Sequence, residues 1–263
     1  MKTEAMISAK TLGELALPDF CPRCFWVRLK AGTRLPFQIF PGIFSFIDSY
    51  TKSVVHGWFD RHGTPPEWLT DLGDITGYKE PPHWSNFSIL DEKTGVRLRG
   101  CPDAVFTCPE GTYVIADYKT ATYTQAQDEL LPLYEVQLNA YAFIGRNNGL
   151  SPVSALALIY TEPVTDKDAA SSDTNCIDSG FRMEFSARVH PVNLDVGTIP
   201  PLLAMAREIH ELGTPPPPTT GCKNCENLDA LARLLQMDGN AGKKPASIEA
   251  EVSTKLSYYL GNL

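Results

Sequence analysis

Asp117 and Lys119 stand two residues apart in the run Thr112–Thr120 (TYVIADYKT). On an extended strand both side chains therefore leave the same face while Tyr118 points away. A carboxylate and an amine are held side by side where the apolar stretch VIA gives way to polar residues. Asp103 lies upstream in a second β-rich run, Val96–Thr107 (VRLRGCPDAVFT), and the turn-like CPEG between the runs predicts an antiparallel hairpin that brings the two aspartates alongside each other. Neighbouring carboxylates are costly unless a cation sits between them. Oxygen ligands from Asp103, Asp117 and a backbone carbonyl, that of Tyr118, suit magnesium or manganese and leave positions for water and a phosphate oxygen. The Lys119 ammonium can then orient an attacking water and stabilise charge developing on phosphorus. Gln137 and Tyr141, four apart on one face of a helix predicted over Gln127–Arg146, add polar contacts above the same site. Each of these pairs taken singly also fits an ordinary surface contact; their order along the chain gives them weight.

The elements that must hold these groups follow from periodicity and punctuation. Amphipathic segments over 20–31 and 43–61 read as helices, with a proline-marked loop around Pro36 and Pro41 between them. Recurrent proline and glycine from Gly63 to Asn86 read as irregular structure. After the hairpin and the long helix come a buried strand at Val153–Tyr160, an acidic solvated loop over 162–184 and an alternating strand at Phe181–Val189. A helix over 197–212 and a stiff spacer at Pro215–Pro218 follow. The order is that of an α/β (α+β) domain. We expect one domain over 1–227 and a helical appendage over 228–263, with a peripheral helix beyond Pro245.

The whole chain sets limits on this chemistry. Its 263 residues are 43% hydrophobic and 21% charged, the composition of a chain that folds around a large core. No internal repeat points to a solenoid. No apolar run reaches membrane-span length, and Glu4 and Glu14 interrupt the opening segment where a signal peptide needs apolar residues. The expectation is a cytoplasmic protein with no membrane partner. A net charge of −8 offers nucleic acid no global attraction, so binding needs a local basic surface. The segment 1–35 is the candidate, with Lys2, Lys10, Arg23, Arg28, Lys30 and Arg34; Phe25 or Trp26 beside it could stack on bases.

Seven cysteines in such a chain suggest ligands or core residues rather than disulfides. Cys21-Pro-Arg-Cys24 and Cys222-Lys-Asn-Cys225 are both C-x-x-C, a spacing that offers two thiolates from one turn. Because the pairs stand near opposite ends of the chain, a shared metal would staple the N- and C-terminal segments together. Four thiolates hold either zinc or a [4Fe–4S] cluster. Cys101, Cys108 and Cys176 read as structural.

Gly100–Asp103 (GCPD), Ile115–Thr120 (IADYKT) and Gln137–Tyr141 (QLNAY) together resemble the motifs of the RecB-type PD-(D/E)XK nuclease superfamily. The resemblance implies a restriction-endonuclease-like core, a central mixed β-sheet flanked by helices. It implies metal binding by Asp103 and Asp117, a catalytic Lys119, and Gln137 and Tyr141 beside the substrate strand. An upstream His or Glu on a helix often completes such sites, and His56 is the nearest match. The cysteine distribution is similar to the iron–sulfur branch of the superfamily, which includes CRISPR-associated and helicase-linked exonucleases. Those relatives have one N-terminal and three C-terminal ligands, whereas this chain has two and two, which leaves the choice between a [4Fe–4S] cluster and zinc open, iron–sulfur being favoured. The implied function is a metal-dependent deoxyribonuclease, an exonuclease on single strands or DNA ends, with protein partners in a DNA-processing complex. The alternatives are a DNA-end-binding or adaptor subunit with little turnover, and a metal-stapled interaction protein whose Asp-x-Lys is a surface pair.

Overall fold

The computed structural model describes residues 4–32, 42–124 and 129–240. In chain order the elements are β1 (Ala5–Ser8), α1 (Ala9–Gly13), α2 (Pro22–Ala31), α3 (Ile43–His62), β2 (Gly77–Lys79), β3 (Ser88–Asp91), β4 (Val96–Arg99), β5 (Ala104–Thr107), β6 (Tyr113–Thr120), α4 (Leu131–Gly145), β7 (Val153–Pro163), α5 (Lys167–Ser171), β8 (Cys176–Ile177), β9 (Gly180–Phe181), β10 (Phe185–Val192), α6 (Ile199–Glu211) and α7 (Lys223–Asn240). The chain divides into two compact units, Met1–Pro217 and Pro218–Leu263; among the described residues α7 is the helix of the second.

Within the first unit a five-stranded mixed sheet runs in the order β10-β7-β6-β5-β2, with β6 and β7 parallel and the other neighbours antiparallel. A smaller sheet, β1-β4-β3, lies apart from it in hydrogen bonding. Side-chain alternation gives the large sheet two apolar faces. Val105, Ile115, Leu156, Leu158 and Val192 pack with Leu138 of α4 and Leu203 of α6. Phe106, Val114, Ala116, Ile159 and Val189 pack with Val55 and Phe59 of α3. Full burial of each such large side chain stabilises by about 1.5–3 kcal/mol, so helices cover both faces. This is the central mixed sheet flanked by helices that the sequence implies. α3 buries only Val55 and Phe59, near its C-terminal end, and its N-terminal half stays largely exposed.

Three local departures from the sequence reading shape the site. Val96–Thr107 is not one strand. It breaks at Gly100–Asp103 into β4 and β5, which belong to different sheets. A Cβ at Gly100 would stand 2.5 Å from Cε1 of Tyr141, so only glycine lets that ring lie against the chain, and Pro102 has no N–H to continue a ladder. The hairpin itself forms between β5 and β6, with Cys108 N donating to Thr112 O and Gly111 supplying the left-handed turn position at φ 73°. The long helix spans Leu131–Gly145, Pro132 sitting in its first turn, where no intrahelical N–H is needed, and Gln127, its expected start, lies outside the described residues. The stretch read as irregular holds β2, and the acidic loop holds α5 and the small β8–β9 pair. Arg34, the Pro36–Pro41 loop and the helix expected beyond Pro245 lie outside the described residues. Among the described residues no helix is long and apolar enough to cross a membrane.

Candidate active site

β6 carries Ile115, Asp117 and Lys119 on one face, and the polar pair emerges where β6 runs past the end of β5. Asp117 is 3% exposed, and a carboxylate so placed must be paired or protonated. Three groups meet it. Lys119 Nζ forms an ion pair with Oδ2, Gln137 Nε2 donates to Oδ1 at 3.1 Å, and Asp103 adds a second negative charge nearby. Burial first, and then Asp103, push the Asp117 carboxyl up to about 7 against the opposing pull of Lys119. Lys119 moves the other way from an isolated buried amine. Burial pulls its pKa down, but Asp117 more than offsets this and the net shift is upward, so the group stays an ammonium. Its Nζ also lies 3.9 Å from the centre of the Tyr134 ring on α4.

Asp103 stands in the break between β4 and β5, immediately before Ala104 opens β5. Its Oδ2 accepts from the backbone N–H of Tyr118 at 3.1 Å. Tyr118 thus enters the site through its main chain, and its ring is buried on the α3 side of the sheet. Gln137 Nε2 also donates to the Tyr141 hydroxyl at 2.7 Å. Burial, then Asp117, hold that phenol well above its usual pKa, so it stays neutral. Asp103, Asp117, Lys119, Gln137 and Tyr141 are therefore brought together, and all line one cleft of ≈ 510 Å³.

The α3 residues at this cleft are ones sequence reasoning missed. Phe44, Ser45 and Asp48 of α3 line it. Lys52 Nζ bridges Asp48 Oδ2 and Asp103 Oδ1, each at 3.0 Å. Burial lowers the Lys52 pKa, but the two aspartates outweigh it and raise it overall; burial, then Asp103, raise that of Asp48. A signal for this pair was present, because Asp48 and Lys52 continue the buried stripe of Val55 and Phe59 at helical spacing. His56, four residues after Lys52 and three before Phe59, borders that stripe but is not among the residues lining the cleft. Its ring stacks on Tyr78 at 3.9 Å and its Nδ1 is 3.4 Å from Glu80 Oε1. In the basic segment, Arg28 pairs with Glu14 and Lys30 lies over the Trp26 ring. Phe25 is 2% exposed, which corrects its expected stacking role: a base cannot reach it.

Whether these groups fit a divalent cation is settled by their donors. Three carboxylates converge on two ammonium groups, and Asp48 Oδ1 and Gln137 Oε1 are buried without a hydrogen-bond partner among the described residues. Hard oxygen donors with unused lone pairs are what magnesium or manganese takes, so the residues fit.

A second set of candidate ligands is sulfur. Each C-x-x-C pair stands at the first turn of a helix, Cys21 and Cys24 at α2 and Cys222 and Cys225 at α7, one pair in each compact unit, and Cys21 and Cys225 are buried. Four such thiolates could bind a metal.

A mixed sheet with helices on both faces, two aspartates and a lysine at a strand end, and a glutamine and tyrosine on the next helix define a metal-dependent phosphodiester-hydrolysing class. A family model of the PD-(D/E)XK nuclease superfamily matches residues 53–229, and the chain belongs to that superfamily. No curated protein matches the chain. Among solved structures, the crystal structure of SSO0001 is similar at 14% identity, covering 82% of this chain and 80% of that one, with a TM-score of 0.36.

Proposed function

We propose that the protein is a metal-dependent deoxyribonuclease of the RecB type, an exonuclease acting on single strands or DNA ends. The observation that carries this reading is the buried Asp117, paired with Lys119, held by Gln137 and set beside Asp103 at the wall of an open cleft. Asp103, Asp117 and the Tyr118 carbonyl would hold magnesium or manganese, and Asp48 takes the helix position that His56 was expected to fill. A divalent ion there supplies charge neutralisation and a bound water of lowered pKa. Lys119, kept charged, donates to the attacking water and to the phosphoryl oxygens as negative charge builds, and acts as an electrostatic stabiliser rather than a base. Gln137, anchored by the Tyr141 hydroxyl, fixes the orientation of Asp117. Water adds to phosphorus and gives up a proton to solvent, the bond to the leaving oxygen breaks, and that oxygen takes a proton from solvent through the open cleft.

The cysteine set supports placing the protein in the iron–sulfur, CRISPR-associated branch, with a [4Fe–4S] cluster as first choice and zinc as second. Anaerobic purification separates them: a brown protein with visible absorbance supports the cluster, and a colourless protein containing zinc rejects it.

Labelled single-stranded and duplex DNA incubated with manganese should be degraded. Asp117→Ala and Lys119→Ala should each slow cleavage by about a hundredfold or more while the protein stays folded. One observation favours the second reading, a DNA-end-binding subunit: Lys52 already neutralises Asp48 and Asp103 without a divalent ion. Binding without cleavage across several metals would decide for that subunit, and absence of DNA affinity at low salt would reject both.

A further inference from the structure

The strand register carries the site further than its motifs do. β6 pairs with β7 so that Asp117 stands opposite Leu158 and Lys119 opposite Tyr160, and β7 pairs with β10 so that Leu158 stands opposite His190 and Tyr160 opposite Arg188. Registered residues of neighbouring strands share a face. Lys119, Tyr160 and Arg188 therefore form one row across the sheet, on the face where the reacting groups emerge. Arg188 stands two strand spacings from Lys119, roughly 10 Å at about 4.8 Å per strand.

Tyr160 lines the cleft, as do Thr120, Ala121, Thr122 and Thr124, so the cleft wall runs from Lys119 toward β10. Tyr123, between them in sequence, packs its ring 5.0 Å from that of Tyr160 and shares a 2.6 Å hydrogen bond with His190 Nδ1. The Arg188 guanidinium lies 5.6 Å from the centre of the Tyr123 ring. Arg188 is exposed, and among the described residues no carboxylate pairs with it. A planar guanidinium braced on an aromatic face, with its donors unused, is pre-ordered for two-pronged hydrogen bonding to a phosphate. In a chain of net charge −8, such a local cation must supply the attraction for a polyanion.

We propose that Arg188, braced by Tyr123 at the rim of the cleft, grips a backbone phosphate of the substrate strand next to the linkage held at Asp117 and Lys119. The strand then crosses the sheet edge over Tyr160 toward β10, and Arg188 fixes its path without touching the reacting atoms. This rests on the nuclease reading.

The test is fluorescence polarisation of a labelled single-stranded oligodeoxythymidylate, with calcium replacing magnesium and the oligonucleotide shown intact afterwards. Wild type is compared with Arg188→Gln, Arg188→Lys and Arg182→Gln over a range of salt. Arg188→Gln should bind about five- to tenfold more weakly, and the slope of log affinity against log salt should fall by about 0.7, the loss of one phosphate contact. Arg188→Lys should recover the slope and part of the affinity, and Arg182→Gln should match wild type. A purely structural Arg188 would lower the melting temperature and leave the slope alone. Equal affinity and slope for wild type and Arg188→Gln would overturn the inference while leaving the nuclease reading intact. A wild-type protein with no affinity at low salt would overturn both.

Discussion

Asp117 is the residue on which the chemistry turns, and its burial makes its charge measurable without any substrate. Its carboxyl titrates near 3.8 when unfolded and is pushed up to about 7 when folded, by burial first and Asp103 second. The folded, metal-free protein therefore binds this proton more tightly than the unfolded chain. The associated stability is fully present below the unfolded value and is lost as pH rises through the folded one. Asp48, also raised by burial, adds in the same direction. In EDTA the melting temperature should fall as pH rises from about 4 to about 8. Asp117→Asn, which keeps the shape and loses the titration, should flatten that fall in part. Saturating manganese should restore stability at the upper end, because a cation among the carboxylates favours the ionised form. Identical pH–melting curves for wild type and Asp117→Asn would show that Asp117 ionises freely, and the electrostatic account of the site would go with it.

The element that aims these residues is the break between β4 and β5. Gly100→Ala would drive a methyl group into the Tyr141 ring, 2.5 Å away, and the ring carries the hydroxyl that anchors Gln137. Overpacking of this kind costs roughly 1–3 kcal/mol. Denaturant titration should show that loss for Gly100→Ala, and cleavage should fall with it because Asp117 loses its fixed partner. Tyr141→Phe should cost less stability, since it removes one hydroxyl and keeps the packing. If Gly100→Ala melts and cleaves like wild type, the ring is not held where the structure places it. The same element marks how far sequence reading reached. β6 and α4 were legible from local signals: a β-rich run after the turn-like CPEG, and a helical stripe through Leu133, Gln137 and Tyr141. The β4–β5 break was not, because VRLR and AVFT share one β-rich composition and the partner that separates them, Tyr141, is far along the chain. β1 and β2 are short strands whose partners lie many residues away, which local pattern does not encode. Asp48 and Lys52 were readable only by extending the stripe of Val55 and Phe59 backward and asking why charged residues occupy it; His56, the more familiar catalytic residue type, borders that stripe without lining the cleft.

At the scale of the whole molecule, the four cysteines set a problem that the cleft does not. The two C-x-x-C pairs stand near opposite ends of the sequence, one in each compact unit. Four thiolates sharing one metal would be neutralised by it. A metal crosslink closing so long a loop removes unfolded-state entropy equivalent to a few kcal/mol, if the logic for covalent crosslinks carries over. Its effect falls on the unfolded chain rather than on Asp117 and Lys119, which sit among β6, α3 and α4. Stability and chemistry should therefore separate. Cys225→Ser should lose the bound metal by elemental analysis and melt several degrees lower. Cleavage measured well below that melting point should stay within about twofold of wild type, as expected for a change confined to unfolded-state entropy. Equal melting temperatures with and without the metal would show that the thiols are a packed cluster and no staple. Loss of cleavage in a protein that still melts well above the assay temperature would instead tie the metal to the cleft itself.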